Sequence, residues 1–211
     1  MKKLIASVLM MAAAHGVMAG DAAAGKAKTA VCAACHGADG NSAVPNFPSL
    51  AGQHASYTLK QLQDMTIDVS AGGRQVPEMT GIVAGLSTQD MADIAAFYAG
   101  QKAKGNVTKA DLLEKGESVY RAGNESRGVA ACTGCHGPDG MGNKGASYPR
   151  LAGQHADYIE KQLKAFRLGA EEPKAQGARI NDGDNRIMRD IAANMSDLEI
   201  RAVASFIAGL R

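Results

Sequence analysis

The chain contains one unit written twice, and this repeat limits its architecture more than any other feature. The segment CAACHG at 32–37 recurs 100 residues later as CTGCHG, and PSLAGQH at 48–54 recurs as PRLAGQH at 149–155. Matched residues continue in the same order to the C-terminus, for example Phe97 with Phe206. Self-similarity at a nearly constant offset is typical of a duplicated structural unit. The sequence therefore predicts two tandem domains.

The N-terminal residues 1–19 match neither copy. Lys2 and Lys3 precede an apolar run, and Val17-Met18-Ala19 resembles the small-residue site at which exported proteins are cleaved. The apolar run is shorter than the ~20 residues that a membrane-spanning helix requires. We therefore expect a secretory signal peptide, and export to the periplasm, rather than a membrane anchor. The predicted division is signal peptide 1–19, first domain 20–100, polar linker 101–110 and second domain 111–211.

Charge and aromatic content restrict the function classes. The chain has 23 Lys and Arg against 21 Asp and Glu, so loss of Lys2 and Lys3 with the signal peptide leaves a formal net charge of zero. The sequence has no basic run and no stripe of basic and aromatic residues, which argues against nucleic acid as a partner. Aromatic residues make up only 4% of the chain. Two domains with this supply would have thin cores unless a non-protein group completes them.

Helical signals dominate both copies. Ser87-x-x-Asp90 and Ser196-x-x-Glu199 are capping-box patterns that start a helix, and apolar residues then recur at helical spacing. Two further helices are expected in each copy, one before the CxxCH segment and one at 55–65 or 156–168. The sequence contains no alternating run long enough for a sheet. The predicted fold class is all-α.

The four cysteines form two CxxC pairs, Cys32 with Cys35 and Cys132 with Cys135. A disulfide within such a pair closes a very small loop and restrains little of the unfolded chain. A dithiol redox motif belongs to a βαβ context, which this sequence lacks. A four-thiolate zinc site would draw its ligands from two separate copies and would give no role to the repeated His and Met residues. These three alternatives are less favoured than a fourth, covalent attachment of haem.

Each pair is followed directly by a histidine, which completes the C-x-x-C-H pattern of covalent haem attachment. Thiols at i and i+3 lie on the same side of a helical turn, where both can add to haem vinyl groups. The histidine at i+4, His36 or His136, reaches the iron from the proximal side. The sequence therefore predicts two covalently bound haem c groups, attached through Cys32, Cys35, Cys132 and Cys135. We expect haem to supply the missing apolar core.

The second axial ligand decides between electron transfer and catalysis, because a six-coordinate iron has no open position. Among the methionines that follow a CxxCH segment, only Met79 and Met188 occupy matched positions in both copies. Both fall in segments without helical patterning, and a methionine ligand favours ferrous iron. The predicted axial pairs are His36 with Met79 and His136 with Met188. His54 and His155 are repeated as well and are the competing ligands.

Pro48 and Pro149 lie at matched positions after the two CxxCH segments. A carbonyl group at each proline would accept a hydrogen bond from Nδ1 of His36 or His136, as the partners of metal-bound histidines commonly do. The alternative is that both are ordinary loop prolines.

The order of CxxCH, P-x-L-A-G-Q, methionine and terminal amphipathic helix resembles class I cytochromes c. The segments VCAACHGADGNS, FPSLAGQH and PEMTGI in the first half, with CTGCHGPDGMGN and YPRLAGQHADYIEKQL in the second, resemble the diheme cytochrome c4 family. The resemblance covers residues 20–211. It implies two tandem class I cytochrome c domains related by a pseudo-twofold axis, with the haem propionates facing one another near the interface.

The resemblance also implies a function. Members of this family are periplasmic electron carriers rather than enzymes, and they take electrons from a cytochrome bc-type donor toward a terminal haem–copper oxidase. Their partners are redox proteins, not small-molecule substrates, and some members associate loosely with the membrane. An alternative is an enzyme similar to the diheme cytochrome c peroxidases, which are longer chains. Such an enzyme needs one haem with an open iron position, and the methionine repeated in both copies argues against it.

Overall fold

The structure is a computed structural model that describes residues 19–211; apart from Ala19, the predicted signal peptide lies outside the described residues. The helices of the first half are α1 (Ala22–Lys28), α2 (Ala30–His36), α3 (Ala55–Asp64), α4 (Pro77–Val83) and α5 (Thr88–Ala99). Those of the second half are α6 (Leu113–Ala122), α7 (Thr133–His136), α8 (Ala156–Glu171), α9 (Ile187–Ala193) and α10 (Asp197–Gly209). Between residues 19 and 211 the β pairing consists of two isolated bridges. The all-α prediction is confirmed.

The five helices of one half correspond in order to the five of the other. The helices expected at 55–65 and 156–168 are α3 and α8, and α8 continues to Glu171. The helices expected before the CxxCH segments are α1 and α6. The repeat in the sequence is therefore a repeat of one helical unit.

The first helix of each half crosses the last helix so closely that the two backbones touch. A Cβ atom on Gly25 of α1 would lie 2.0 Å from the carbonyl oxygen of Asp93 in α5. A Cβ atom on Gly116 of α6 would lie 2.3 Å from the carbonyl oxygen of Ala202 in α10. Only glycine fits at these crossings, because backbone atoms cannot move aside as a flexible side chain can.

The last helix of each half begins with the capping box that the sequence predicts. The backbone N–H of Asp90 donates to the Ser87 hydroxyl at 3.1 Å, and the Ser87 N–H donates to the Asp90 carboxylate at 2.9 Å. Ser196 and Glu199 make the same two bonds at 3.3 and 2.8 Å. Two N–H groups that a helix start leaves free are thereby satisfied.

Each half has an apolar core of its own. Helices α3, α4 and α5 build one cluster, and α6, α8 and α10 build the other. Members of the first are Leu62, Val83, Met91, Ile94, Phe97 and Tyr98, and members of the second include Val119, Tyr120, Ile159, Ile200 and Phe206. Because the clusters are separate, contacts between the halves come from polar groups and loops.

The segment expected to link the halves has no regular secondary structure between residues 102 and 109. The Asn41 side chain accepts from the Lys104 N–H at 2.7 Å and donates to the Lys102 carbonyl at 3.0 Å. The Asn106 side chain donates to the Gly153 carbonyl at 2.7 Å. The segment is thus fastened to both halves, while the exact domain boundaries stay predictions. In the described part of the chain no helix combines the length and apolar character needed to cross a membrane.

Glu199 is a buried carboxylate at the start of α10, only 2% exposed. Burial by itself raises its pKa, but hydrogen bonds from Asn124 at 2.6 Å and from Ser196, with the nearby Lys115 charge, lower it to about 2 from 4.5. The Arg127 guanidinium lies 3.4 Å from the same carboxylate. Glu199 therefore joins the 124–129 loop to the last helix.

The Gly25→Ala substitution tests the helix crossing. Because the new Cβ would meet backbone, we expect the free energy of unfolding to fall by about 1–3 kcal/mol. Gly85→Ala is the matched control, since nothing lies within 4 Å of a Cβ at that position, and a change within about 0.5 kcal/mol is expected. Denaturant unfolding followed by circular dichroism measures both. Equal stabilities for the two variants would refute a close backbone crossing.

The lowered pKa of Glu199 also predicts that the free energy of unfolding decreases at acidic pH. Its pKa is lower in the folded state, so its contribution is complete above pH 4.5 and is lost as the pH falls toward 2. Glu199→Gln should lower the free energy of unfolding at pH 7 by about 1–3 kcal/mol and flatten the dependence in that window. Glu117→Gln, which breaks an exposed ion pair with Arg121, serves as control. Identical acid curves for all three proteins would contradict the assignment.

Candidate functional site

The three residues of the first CxxCH segment share one short helix. Cys32, Cys35 and His36 all lie in α2, and the cysteines are three positions apart, so both thiols lie on the same side of one turn. The helix ends at Gly37, whose φ of 78° only glycine adopts without strain. This residue lets the chain leave the helix immediately after the histidine.

The second segment repeats this arrangement with a shorter helix. Cys135 and His136 lie in α7, and Cys132 is the residue that caps it. Gly137 ends the helix with a φ of 77°. The four cysteines are not paired with one another, so the disulfide alternative finds no support. Burial raises the pKa of the Cys32 thiol, and raises that of Cys132 to about 11.

The two histidines are buried and held by the prolines that the sequence singled out. Nδ1 of His36 lies 2.9 Å from the Pro48 carbonyl oxygen, and Nδ1 of His136 lies 3.0 Å from that of Pro149. A carbonyl can only accept, so Nδ1 carries the proton and Nε2 is the unprotonated nitrogen. Burial lowers the pKa of both imidazoles, which favours the neutral form that binds iron. The expectation for the proline carbonyls is confirmed.

The segments that carry Met79 and Met188 are helical, and the expectation of irregular segments was wrong. Met79 lies in α4, which Pro77 opens at the first helical position, where its missing N–H costs nothing. Met188 lies in α9, which begins after Arg186 in a left-handed conformation. Both helices have seven residues, too few for a periodic pattern to be recognised in a window of about eleven or more.

Each of these methionines is partly buried against the core that its own cysteine also contacts. Met79 and Cys32 pack against the cluster of the first half, and Met188 and Cys132 against that of the second. Three other methionines after a CxxCH segment differ in exposure, since Met91 and Met195 are core residues at 4% and 2% exposure and Met141 is exposed. Met65 is partly buried against the same cluster as Met79, and only its unmatched position in the repeat distinguishes it.

The two competing histidines lie at the interface between the halves. His54 and His155 are the residues that directly precede α3 and α8. Nε2 of His155 lies 2.8 Å from the Ser42 carbonyl oxygen in the first half. Nε2 of His54 is buried without a hydrogen-bond partner among residues 19–211.

Two glutamines of the repeated LAGQH motif clasp the opposite half, a feature that the sequence reading missed. Nε2 of Gln53 donates to the Arg150 carbonyl at 2.8 Å, and its Oε1 accepts from the Arg150 N–H at 3.0 Å. Gln154 makes the same pair of bonds with Ser49, both at 2.9 Å. Ser49 and Arg150 are matched positions, so the two clasps are related by the pseudo-twofold relation of the halves. The occurrence of this glutamine in both copies of the LAGQH motif was the sequence signal that could have indicated these contacts.

Two buried arginines complete this interface. Arg74 donates to the Tyr158 hydroxyl of the second half, and Arg179 to the Tyr57 hydroxyl of the first, each at 3.1 Å. Both arginines also donate to Gln61 and Gln162, and Arg179 donates to Asn181 as well. Burial raises the pKa of Tyr158, but the two guanidinium charges outweigh it and hold the pKa below its ordinary value. The halves are therefore joined by directional polar contacts.

The geometry fits a covalently attached haem in each half. In each half, two cysteine side chains on one side of a turn and a neutral histidine fixed through Nδ1 lie beside an apolar cluster that contains few aromatic residues. The described residues bring no group of three or more His, Cys, Asp or Glu side chains together as a metal-ion site, so the four thiols do not converge on one zinc position. The fold and the two sites define a c-type cytochrome.

Comparison with known proteins gives the same class. The cytochrome c family model matches residues 22–101 and again residues 113–211. The chain is 50% identical to cytochrome c4 of Azotobacter vinelandii over 217 residues, and 50% identical to cytochrome c4 of Pseudomonas aeruginosa over 212, with all of each chain covered. The crystal structure of reduced recombinant cytochrome c4 from Pseudomonas stutzeri matches 92% of this chain and all of its own, with a TM-score of 0.83 and 49% identity.

The chain belongs to the diheme cytochrome c4 family. It is built from two tandem cytochrome c domains that carry two covalent haem c groups, and it is an electron-transfer protein that acts with redox partner proteins.

Proposed function

We propose that each half holds its haem through residues of its own copy of the repeat. Thioether bonds would form at Cys32 and Cys35 in the first half, and at Cys132 and Cys135 in the second. His36 and His136 would be the proximal iron ligands. The observation that carries this assignment is the hydrogen bond from each Nδ1 to a proline carbonyl, because it leaves Nε2 unprotonated on a ring of fixed orientation.

Met79 and Met188 complete the axial pairs in this proposal. Support comes from their matched positions and from the core that each shares with the cysteine of its own half. Met91 and Met195 are instead committed to the cores. His155 is less favourable than Met188, since its Nε2 already faces the Ser42 carbonyl.

Electron transfer would be fast because the residues around each haem keep nearly the same positions when the iron changes its oxidation state. Bound haem supplies the redox couple of ferric and ferrous iron. The proline carbonyls keep both imidazoles in one tautomer and orientation, so the ligand has no need to turn when the charge changes. The methionine thioether stabilises the reduced form. The close helix crossings stiffen each half, and the glutamine clasps and buried arginines hold the two halves in a fixed relation.

The proposed cellular role is electron carriage in the periplasm, from a cytochrome bc-type donor toward a terminal haem–copper oxidase. The predicted signal peptide at 1–19 and the family resemblance support this location and these partners. The formal charge of zero predicted after cleavage gives little long-range steering, so recognition would depend on local patches. A role like that of the diheme peroxidases is disfavoured, because each half offers a methionine for the sixth iron position.

Replacement of the proposed methionine ligands tests the assignment. Met79→His should lower the potential of the first haem, and Met188→His that of the second, each by on the order of 0.1 V within the ~0.8 V range that axial ligands set. Each variant should also lose about half of the ferric near-infrared charge-transfer band of methionine ligation. Potentiometry and near-infrared spectroscopy measure these changes.

Met141→Leu is the control, since this side chain is exposed and both potentials should stay unchanged. An intact near-infrared band and unchanged potentials in Met79→His would exclude Met79 as a ligand. The same reasoning applies separately to Met188.

A further inference from the structure

One peptide group connects the proximal histidine of the first half to a side chain of the second half. The carbonyl of the Pro48–Ser49 peptide accepts from Nδ1 of His36 at 2.9 Å. The N–H of this same peptide donates to Oε1 of Gln154 at 2.9 Å. The hydrogen-bonded chain therefore runs from the imidazole through a single peptide plane into the other half.

The second half contains the equivalent arrangement, related to the first by the pseudo-twofold axis. The carbonyl of the Pro149–Arg150 peptide accepts from Nδ1 of His136 at 3.0 Å, and its N–H donates to Oε1 of Gln53 at 3.0 Å. The four hydrogen-bond distances are 2.9 or 3.0 Å in both copies. The arrangement is therefore a feature of the repeated unit rather than a chance contact.

Both glutamine amides are held on their other sides as well. Nε2 of Gln154 donates to the Ser49 carbonyl at 2.9 Å, and Oε1 also accepts from the His155 N–H at 3.0 Å. Gln53 likewise donates to Arg150 at 2.8 Å and accepts from the His54 N–H at 2.9 Å. These bonds fix each amide so that its oxygen faces the peptide N–H of the opposite half.

We infer that Gln53 and Gln154 are positioning residues that each set the electron-donating strength of the proximal histidine in the opposite half. An acceptor on a peptide N–H polarises that peptide and makes its carbonyl a stronger acceptor, because hydrogen bonds in a chain reinforce one another. A stronger bond at Nδ1 gives the imidazole more anionic character, which stabilises ferric iron and lowers the potential. Gln154 thus acts on the haem of the first half, and Gln53 on the haem of the second.

This inference rests on the proposed ligation by His36 and His136. It predicts an effect that would not be expected if the glutamines only held the two halves together. The effect of each glutamine crosses the interface. A residue that only holds the halves together would change both haems alike when removed. A residue that tunes a histidine would change the haem of the other half more than that of its own.

The test uses the full diheme protein with Gln154→Leu and Gln53→Leu. Gln154→Leu should raise the potential of the His36 haem more than that of the His136 haem, and Gln53→Leu should do the reverse. In the ferrous protein, the Nδ1–H proton resonance of His36 should move upfield in Gln154→Leu, and that of His136 in Gln53→Leu, as each hydrogen bond weakens. Potentiometry and proton–nitrogen correlation spectra measure both.

Asn106→Ala is the control, because it removes a side-chain bond to Gly153, the neighbour of Gln154, without touching either proline peptide. It should leave both Nδ1–H resonances in place. Gln154→Ala and Gln53→Ala, which only delete atoms, replace the leucine variants if those do not incorporate haem. Equal shifts of both haems, or unmoved Nδ1–H resonances, would overturn the inference.

The wild-type spectrum separates this inference from the ligand assignment. If wild-type protein lacks the resonance of an iron-bound histidine Nδ1–H for His36 and His136, the ligation fails and the inference fails with it. If both resonances are present and the crossed pattern is absent, the ligation stands and only the role of the glutamines is refuted.

Discussion

The requirement that two thiols and an imidazole share one helical turn shapes the rest of each half. In α2 this turn must end directly after His36, and Gly37 provides the positive φ that allows it. The chain then returns so that the Pro48 carbonyl meets the same imidazole. The first and last helices of the half cross at a glycine, as Gly25 does on Asp93. Each of these features recurs in the second half, because the same turn imposes the same requirements there.

The halves have separate apolar cores, but His36 and His136 are each connected by hydrogen bonds to the opposite half. The proline peptide that orients each imidazole is also the peptide that a glutamine of the other half clasps. The buried arginines add further directional bonds to the interface. An electron carrier with two haems benefits from such rigidity, since a fixed relation between the halves keeps both the ligand geometry and the distance between the haems constant.

Most of the structure within each half could be predicted from the sequence, but few of the contacts between the halves could. The duplication, the capping boxes at Ser87 and Ser196 and the histidine–proline pairing all depend on short-range patterns, and the structure confirms them. The helices around Met79 and Met188 were missed because seven residues are too few to display a period. The clasps of Gln53 and Gln154 were missed because a contact between halves depends on tertiary placement, which no local pattern encodes.

The most direct test of two His–Met haems, one in each half, is the spectrum of ferrous protein labelled with carbon-13 in its methionine methyl groups. Six methionines follow residue 19, and a methyl group bound above a haem is shifted strongly upfield by the ring current. The account predicts two such signals, with through-bond assignment to Met79 and Met188, and ordinary shifts for the other four. A single upfield signal, or one that belongs to Met65, Met91, Met141 or Met195, would contradict it.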